Sequence, residues 1–358
     1  MNGRIEPTAA LVGAPWLRHT LSRPFGLRRR ANPGQHVITA ALETFLDGTV
    51  AGWNIYGRFD GRSGTTIVAV GPDPDSGAIL KVAAGPCGRV ELERQTAVLA
   101  AMHADDTLGS WRDLLPRVLA AGAFDGSYCV LESRFPAGDG RRELVNPQRR
   151  RRLVAAAVAA ISELNRRNST LVVVSDRELR RWVHEPAARV RPAVHGADRV
   201  ALDRMERAIA ARLAGRRIAS GWVHGDYHPA NVLTDRAGRA AGIVDWCAAR
   251  PDGMVVLDVV SFLLFTEMSV LGQELGTVVR TWLARDGSAR LACAHDLESS
   301  LRSDPVDDTT LILLAWLRHV AQFIASEPPG PLSPVWTRRN VRAVLRAWTA
   351  GSEGGTPR

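Results

Sequence analysis

Asp226, Asn231 and Asp245 fall within one short stretch, Trp222 to Trp246, and their side chains are the oxygen donors that phosphate and metal chemistry uses. Two apolar runs, Val232-Leu233 and Ile243-Val244, flank a Gly-containing turn at Arg236 to Arg239. That pattern is a hairpin, and it holds the three side chains close together. One carboxylate can then serve as a base, while the amide oxygen and the other carboxylate are ligands for a hard cation. Mg²⁺ in particular is bound through few protein oxygens and the phosphates of its nucleotide. His224 and His228 stand four apart, as zinc ligands on a helix do, but Gly225 and Pro229 argue against a helix here. The plainest alternative is a loop in which Asp226 or Asp235 merely caps backbone amides.

The elements that must position these residues divide at Ser133 to Arg142, a segment holding Pro136, Gly138 and Gly140. Before it, from about Val37, the pattern is strand-like: Trp53 to Phe59, Thr65 to Val70, Ala78 to Ala83, Val118 to Ala121 and Tyr128 to Glu132 are short β-compatible runs. One helix interrupts them at residues 89–103, with Leu92, Leu99 and Met102 on one face. After the divide the pattern is helical, at Arg149 to Asn165, Asp198 to Leu213, Leu311 to Ile324 and Val335 to Trp348. Met254 to Leu271 is strongly apolar, but Asp258 and Glu267 make it a buried core helix rather than a membrane span. Residues 168–197 show no clear period.

His224-x-Asp226-x-x-x-x-Asn231 has the spacing of a kinase catalytic loop, with Gly225 where protein kinases carry Arg. Asp245 ends an apolar strand, as the principal metal carboxylate does in such enzymes. The wording His-Gly-Asp-Tyr-His-Pro-Ala-Asn-Val-Leu, followed by Ile-Val-Asp-Trp, resembles the aminoglycoside phosphotransferase and choline kinase-like family. The resemblance spans roughly residues 40–350 and is specific at these motifs. It implies an α+β, two-lobed protein-kinase-like fold, with a small antiparallel N-lobe sheet carrying one main helix and a larger, mostly helical C-lobe. The expected division is an extension over 1–35, a nucleotide-binding lobe over 36–133, and a lobe with the catalytic loop and acceptor-binding helices over 134–358. The resemblance further implies Asp226 as catalytic base, Asn231 and Asp245 as Mg²⁺ ligands, His224 as a brace of the loop, and Asp258 as the downstream structural Asp.

Such an enzyme needs a lysine reaching the nucleotide phosphates from a strand. Lys81, in Ala-Ile-Leu-Lys-Val, is the only lysine in a chain with 46 basic residues. Keeping a compact ammonium where arginine is used everywhere else points to a required one. Its acidic partner should lie on the helix, where the family pattern places Glu at Gln95; Glu91 lies one turn before that position and Glu93 two residues before it, and Glu93 is the expected partner. Ser63 and Gly64, in the turn between the first strands, are expected to cap the phosphates through backbone amides. The strand ending at Glu132 is expected to be the hinge against which adenine lies.

The expected function is therefore ATP-dependent O-phosphoryl transfer to a hydroxylated small molecule such as a sugar, aminosugar or aminoglycoside, with ATP and Mg²⁺ as cofactors. Glu267, Glu274, Trp316, His319, Trp336 and Asn340 are candidates for reading the acceptor. A protein kinase is disfavoured by Gly225 and by the absence of an Ala-Pro-Glu signature. A weakly active or inactive nucleotide-binding regulator is suggested only by Gln95. The formal charge of +9 comes with a general Arg, Ala and Gly bias, and nucleic-acid binding would need Arg28 to Arg30 and Arg149 to Arg152 on one face, so it is not expected. Four scattered cysteines without a Cys-x-x-Cys pair and an N-terminus unlike a signal peptide fit a reducing, cytoplasmic setting, with no membrane partner.

Overall fold

A computed structural model of the chain describes residues 35–48, 52–60, 64–73, 77–284, 290–326 and 332–353. The N-lobe is a five-stranded antiparallel sheet: β1 (Asn54–Asp60), β2 (Thr65–Gly71), β3 (Ala78–Ala83), β4 (Val118–Phe124) and β5 (Ser127–Ser133), in the order β1-β2-β3-β5-β4. Alternation along the strands gives this sheet two apolar faces. Val68, Val70, Leu80, Val82, Cys129 and Leu131 point to one side, and Ala83 and Val130 to the other.

A helix over Gln35–Phe45 covers the first face with Val37, Ile38, Ala41 and Leu42. The expected strand character from Val37 is thus corrected, and the lobe has a second helix. The β-branched run Val37-Ile38-Thr39 mimics a strand, but the apolar residues recur at helical spacing, and burial on the sheet outweighs the weak β preference. The remaining extension, including Arg28 to Arg30, lies outside the described residues.

The second face is covered by the Pro86–Ala104 helix, which starts with Pro in its first turn. Leu92 packs on Ala83 and Val130, whereas Val98, Leu99 and Met102 belong to the core of the other lobe. This helix therefore bridges the two lobes, helped by Arg94 Nη2, which donates to the Ala249 carbonyl at 2.9 Å.

The C-lobe is helical, with two small sheets of three strands. β6 (Gly138–Asp139), β9 (Val232–Thr234) and β10 (Ala240–Ile243) form one, in the order β10-β9-β6; β7 (Thr170–Val173), β8 (Arg217–Val223) and β11 (Arg250–Met254) form the other, in the order β11-β8-β7. A glycine at 140 is required where the chain enters this lobe, since a Cβ there would sit 2.7 Å from the carbonyl oxygens of Pro229 and Val232. The long Pro147–Asn168 helix is capped by the Asn146 side chain and buries Leu153, Ala157, Ile161 and Leu164. The aperiodic region resolves into β7 and an unbroken helical run from Asp176 to Ala193 that widens to a π-helix over Arg180–His184. The Val256–Leu271 helix is buried almost all round as far as Thr266, with Asp258 fully enclosed. The Asp308–Ser326 helix is long and apolar enough to cross a membrane, yet its residues Leu311 to Leu317 lie within the C-lobe core.

Candidate active site

The loop between β8 and β9 carries His224, Asp226 and Asn231, and its shape is held from beneath by Asp258. That carboxylate accepts from the backbone nitrogens of His224 at 2.6 Å and Gly225 at 3.1 Å, and Arg318 neutralises it at 3.0 Å. Gly225 takes φ +83, and a Cβ on it would meet the Ala248 carbonyl oxygen at 2.4 Å, so the residue must be glycine. His224 is fully buried against Trp246, with ring centroids 4.5 Å apart. Its Nε2 donates to the Val244 carbonyl at 2.9 Å and its Nδ1 accepts from the Asp226 nitrogen at 3.3 Å. Burial pulls its pKa below the ordinary value despite Asp258, keeping the ring neutral. With both ring nitrogens engaged, His224 has no lone pair for zinc and acts as the brace.

Turn chemistry brings the three oxygen donors together. The Asp235 side chain accepts from the Ala237 and Arg239 nitrogens, each at 2.9 Å, and closes the β9–β10 hairpin. Beyond it, the Val244 nitrogen donates to the Asn231 carbonyl at 2.9 Å, which sets Asp245 beside Asn231. Asn231 Nδ2 donates to the Asp226 carbonyl at 3.0 Å, leaving Oδ1 as the atom suited to a cation. Asp245 adopts the left-handed conformation, φ 69 and ψ 58, a strain typical of functional positions. An amide oxygen and a carboxylate are the sparse oxygen set that suits Mg²⁺ alongside phosphates.

Asp226 keeps about a third of its side chain exposed, with Oδ2 3.5 Å from His228 Nε2. Burial favours the neutral acid, but His228, then His319 and His224, outweigh it and hold the carboxyl well below the usual carboxylate range. Burial likewise disfavours charge on His228, and Asp226 reverses this, raising the imidazole above its ordinary value. Sequence reasoning considered His228 only as a zinc ligand; its place one turn of loop beyond Asp226 is what brings it to the carboxylate.

Lys81 is buried and faces this cluster from β3. Burial opposes its charge, and Glu132 and Asp245 more than compensate, so its pKa stands above that of ordinary lysine. Its ion-pair partner is Glu132, at 3.2 Å. Glu93, the expected partner, is instead on the outer side of the helix, paired with Arg89 at 2.7 Å and 43% exposed. The helical turn that buries Leu92 and Gln95 turns Glu93 away, and Gln95 Nε2 donates to Glu132 from the inner side. Glu91 lies near the Cys247 thiol. Gly64 takes φ +84 immediately before β2, while Ser63 lies outside the described residues.

Of the six acceptor candidates, His319 comes near Asp226, its ring 4.7 Å from Phe265. Trp316 is core, donating to the Asn340 carbonyl at 2.8 Å. Asn340 and Arg339 both hold Glu274, at 2.6 and 2.7 Å, and Glu267 pairs with Arg290 at 3.8 Å. Trp336 stacks on Phe323 at 4.1 Å. Sequence reasoning missed Phe265, which packs between the rings of His228 and His319, and Gln322, whose Nε2 donates to the Gly225 carbonyl at 3.1 Å. Apolar burial at helical spacing hid the first, and nothing in the local sequence pointed to the second.

A family model described as a phosphotransferase enzyme family matches residues 59–293 of the chain. No curated protein sequence matches significantly. Among solved structures, the chain is similar to a thermostable mutant of aminoglycoside phosphotransferase APH(4)-Ia in its apo form, with a TM-score of 0.54 and 13% identity over 88% of this chain and 100% of that one. The same protein as a ternary complex with ADP and hygromycin B gives 0.54 and 14% identity over 90% and 100%. Macrolide 2′-phosphotransferase type I gives 0.50 and 14% identity over 89% and 97%. At these identities the likeness is one of fold, the two-lobed α+β architecture of small-molecule kinases.

Proposed function

Because the chain belongs to the phosphotransferase enzyme family, we propose that it transfers the γ-phosphoryl group of ATP to a hydroxyl of a small molecule. The observation that carries this reading is the meeting, across the two lobes, of Lys81 with Asp245, next to Asn231 and Asp226. Asp226 is ionised at neutral pH and orients the acceptor hydroxyl, accepting its proton as the new bond to phosphorus forms. Lys81 steadies the α- and β-phosphates, and the neutral His224 fixes the loop. Asn231 and Asp245 would hold Mg²⁺, which when bound neutralises charge on the phosphates. Gly64 and Ser63 are suited to cover the phosphates by backbone amides, and the end of β5 to receive the base. The four cysteines are free thiols, which agrees with a cytoplasmic setting.

The acceptor is read as a neutral or weakly charged hydroxylated compound, such as a sugar, ahead of a polycationic aminoglycoside. Glu267 and Glu274 are already neutralised by arginines, whereas two histidines flank Asp226. Purified protein with Mg-ATP or Mg-GTP should release the nucleoside diphosphate in the presence of one member of a panel of sugars, aminosugars, aminoglycosides and amino alcohols. Asp226→Ala should lower kcat by at least about a thousandfold with the fold intact. Full activity in that variant would sink the mechanism, and silence with every acceptor despite nucleotide binding would favour a regulator.

A further inference from the structure

Kinases of this architecture hold the strand lysine with an acid from the N-lobe helix, so the pair exists only when the helix is in place. Here the helix offers Gln95 at the inward position, 1% exposed, and the acid comes from the sheet. Ile79 is paired with Glu132 and Lys81 with Val130 in the β3–β5 register. Residues two apart share a face, so Lys81 and Glu132 are diagonal neighbours on the nucleotide side of the sheet. Glu132 is 2% exposed, presents Oε2 to Lys81 at 3.2 Å, and accepts from Gln95 Nε2 through Oε1.

We infer that Glu132 is the positioning residue for Lys81, with the neutral Gln95 as its latch, so that the lysine is set within the sheet itself. This rests on the nucleotide reading above and adds to it the residue that aims the phosphate-binding ammonium. Two features support it independently of the ion pair. A neutral side chain at 95 fits this arrangement: a second buried carboxylate against Glu132 would crowd like charge at a lysine that Asp245 already faces. Second, the helix is held against both lobes, by Leu92 under the sheet and by Val98, Leu99 and Met102 in the C-lobe core, and Arg94 ties it to Ala249. A helix so fixed is poorly suited to carry the acid in and out, and a sheet-borne acid makes such movement unnecessary. Lys81 is thereby preset, with no helix-swing switch.

The test is a charge relocation measured by Mg-ADP affinity and by turnover, with the melting temperature of each variant recorded. Glu132→Gln should weaken Mg-ADP binding about tenfold or more and lower kcat/KM for ATP about a hundredfold, as loss of an aimed electrostatic group does. Gln95→Glu alone should also impair both, through like-charge crowding. The double variant Gln95→Glu/Glu132→Gln returns one carboxylate to the same hydrogen bond and should recover most of the loss, a rescue that a merely structural role would not give. Glu132→Gln equal to wild type, a double variant no better than Glu132→Gln alone, or a comparable loss in Glu93→Gln would overturn the inference. Wild-type protein that binds no Mg-ADP would instead overturn the nucleotide reading, and this inference with it.

Discussion

Asp226 is a carboxylate whose burial would by itself raise its pKa, and His228 is the first of the groups that reverse this. The ionised form orients the acceptor hydroxyl, so the acid limb of kcat/KM should lie below the ordinary carboxylate range of about 4. Removing His228 takes away the largest contribution that opposes burial. In His228→Ala the pKa of Asp226 must therefore rise, and the acid limb of the pH–rate profile should move to higher pH; an unmoved limb would show that His228 does not set this charge. The same sign governs stability. A depressed folded-state pKa contributes stability above the unfolded value, and that contribution is lost as pH falls toward the folded value. These side chains differed in legibility. Asp226, Asn231 and Asp245 are readable because loop chemistry ties them to fixed spacings in a single stretch, and Lys81 because it is the only lysine. Glu132 is not readable as the partner of Lys81, because a diagonal contact exists only once the β3–β5 register is known.

Elements with one buried face were legible from their period, and those governed by tertiary contacts were not. β3 runs over the residues that alternation assigns to it, Ala78–Ala83, whereas the Gln35–Phe45 helix reads locally as strand and becomes a helix by covering a sheet. The run from Asp176 to Ala193 lacks a clear period because its winding changes along the way, from α to π over Arg180–His184, back to α, and to a final 3-10 turn. The Asp308–Ser326 helix illustrates a role that no pattern announces. Arg318 projects from it to Asp258 and donates to the Leu257 carbonyl and to Ser261 Oγ, each at 2.9 Å, while Gln322 reaches the Gly225 carbonyl. Because Asp258 is fully enclosed, Arg318→Ala leaves a buried charge without its partner and should cost about 3–5 kcal/mol in chemical denaturation, with Arg318→Lys costing less. The exposed Arg346 gives the contrast: its partner Asp198 keeps Arg342 as a second cation, so Arg346→Ala should change stability by only about 0.5 kcal/mol. Equal effects of the two alanine variants would show that Arg318 does not support the loop.

At the scale of the whole chain, the two lobes have separate apolar clusters, one between the Gln35–Phe45 helix and the sheet, the other throughout the C-lobe. They are joined by the chain after Ser133 and by the Pro86–Ala104 helix, which contributes to both sides. A nucleotide between Lys81 and Asp245 touches both lobes, so its binding energy adds to their association and is absent once either lobe unfolds. The folded state should then gain about RT ln(1 + [L]/Kd), close to 2.7 kcal/mol at a hundredfold excess of Mg-ADP over its dissociation constant. The prediction is a rise in melting temperature that grows with the logarithm of Mg-ADP concentration. Withholding the metal should reduce the rise, because Asn231 and Asp245 would then meet the phosphates without a cation between them. Asp245→Asn should diminish the difference made by the metal, and Lys81→Met should diminish the rise in both conditions. Candidate acceptors, bound beside Asp226 in the C-lobe, should raise the melting temperature further only when nucleotide is present if the two ligands share a closed cleft. Additive shifts from ADP and acceptor would instead mean two independent sites, and no shift with Mg-ADP at any concentration would remove the nucleotide from the cleft altogether.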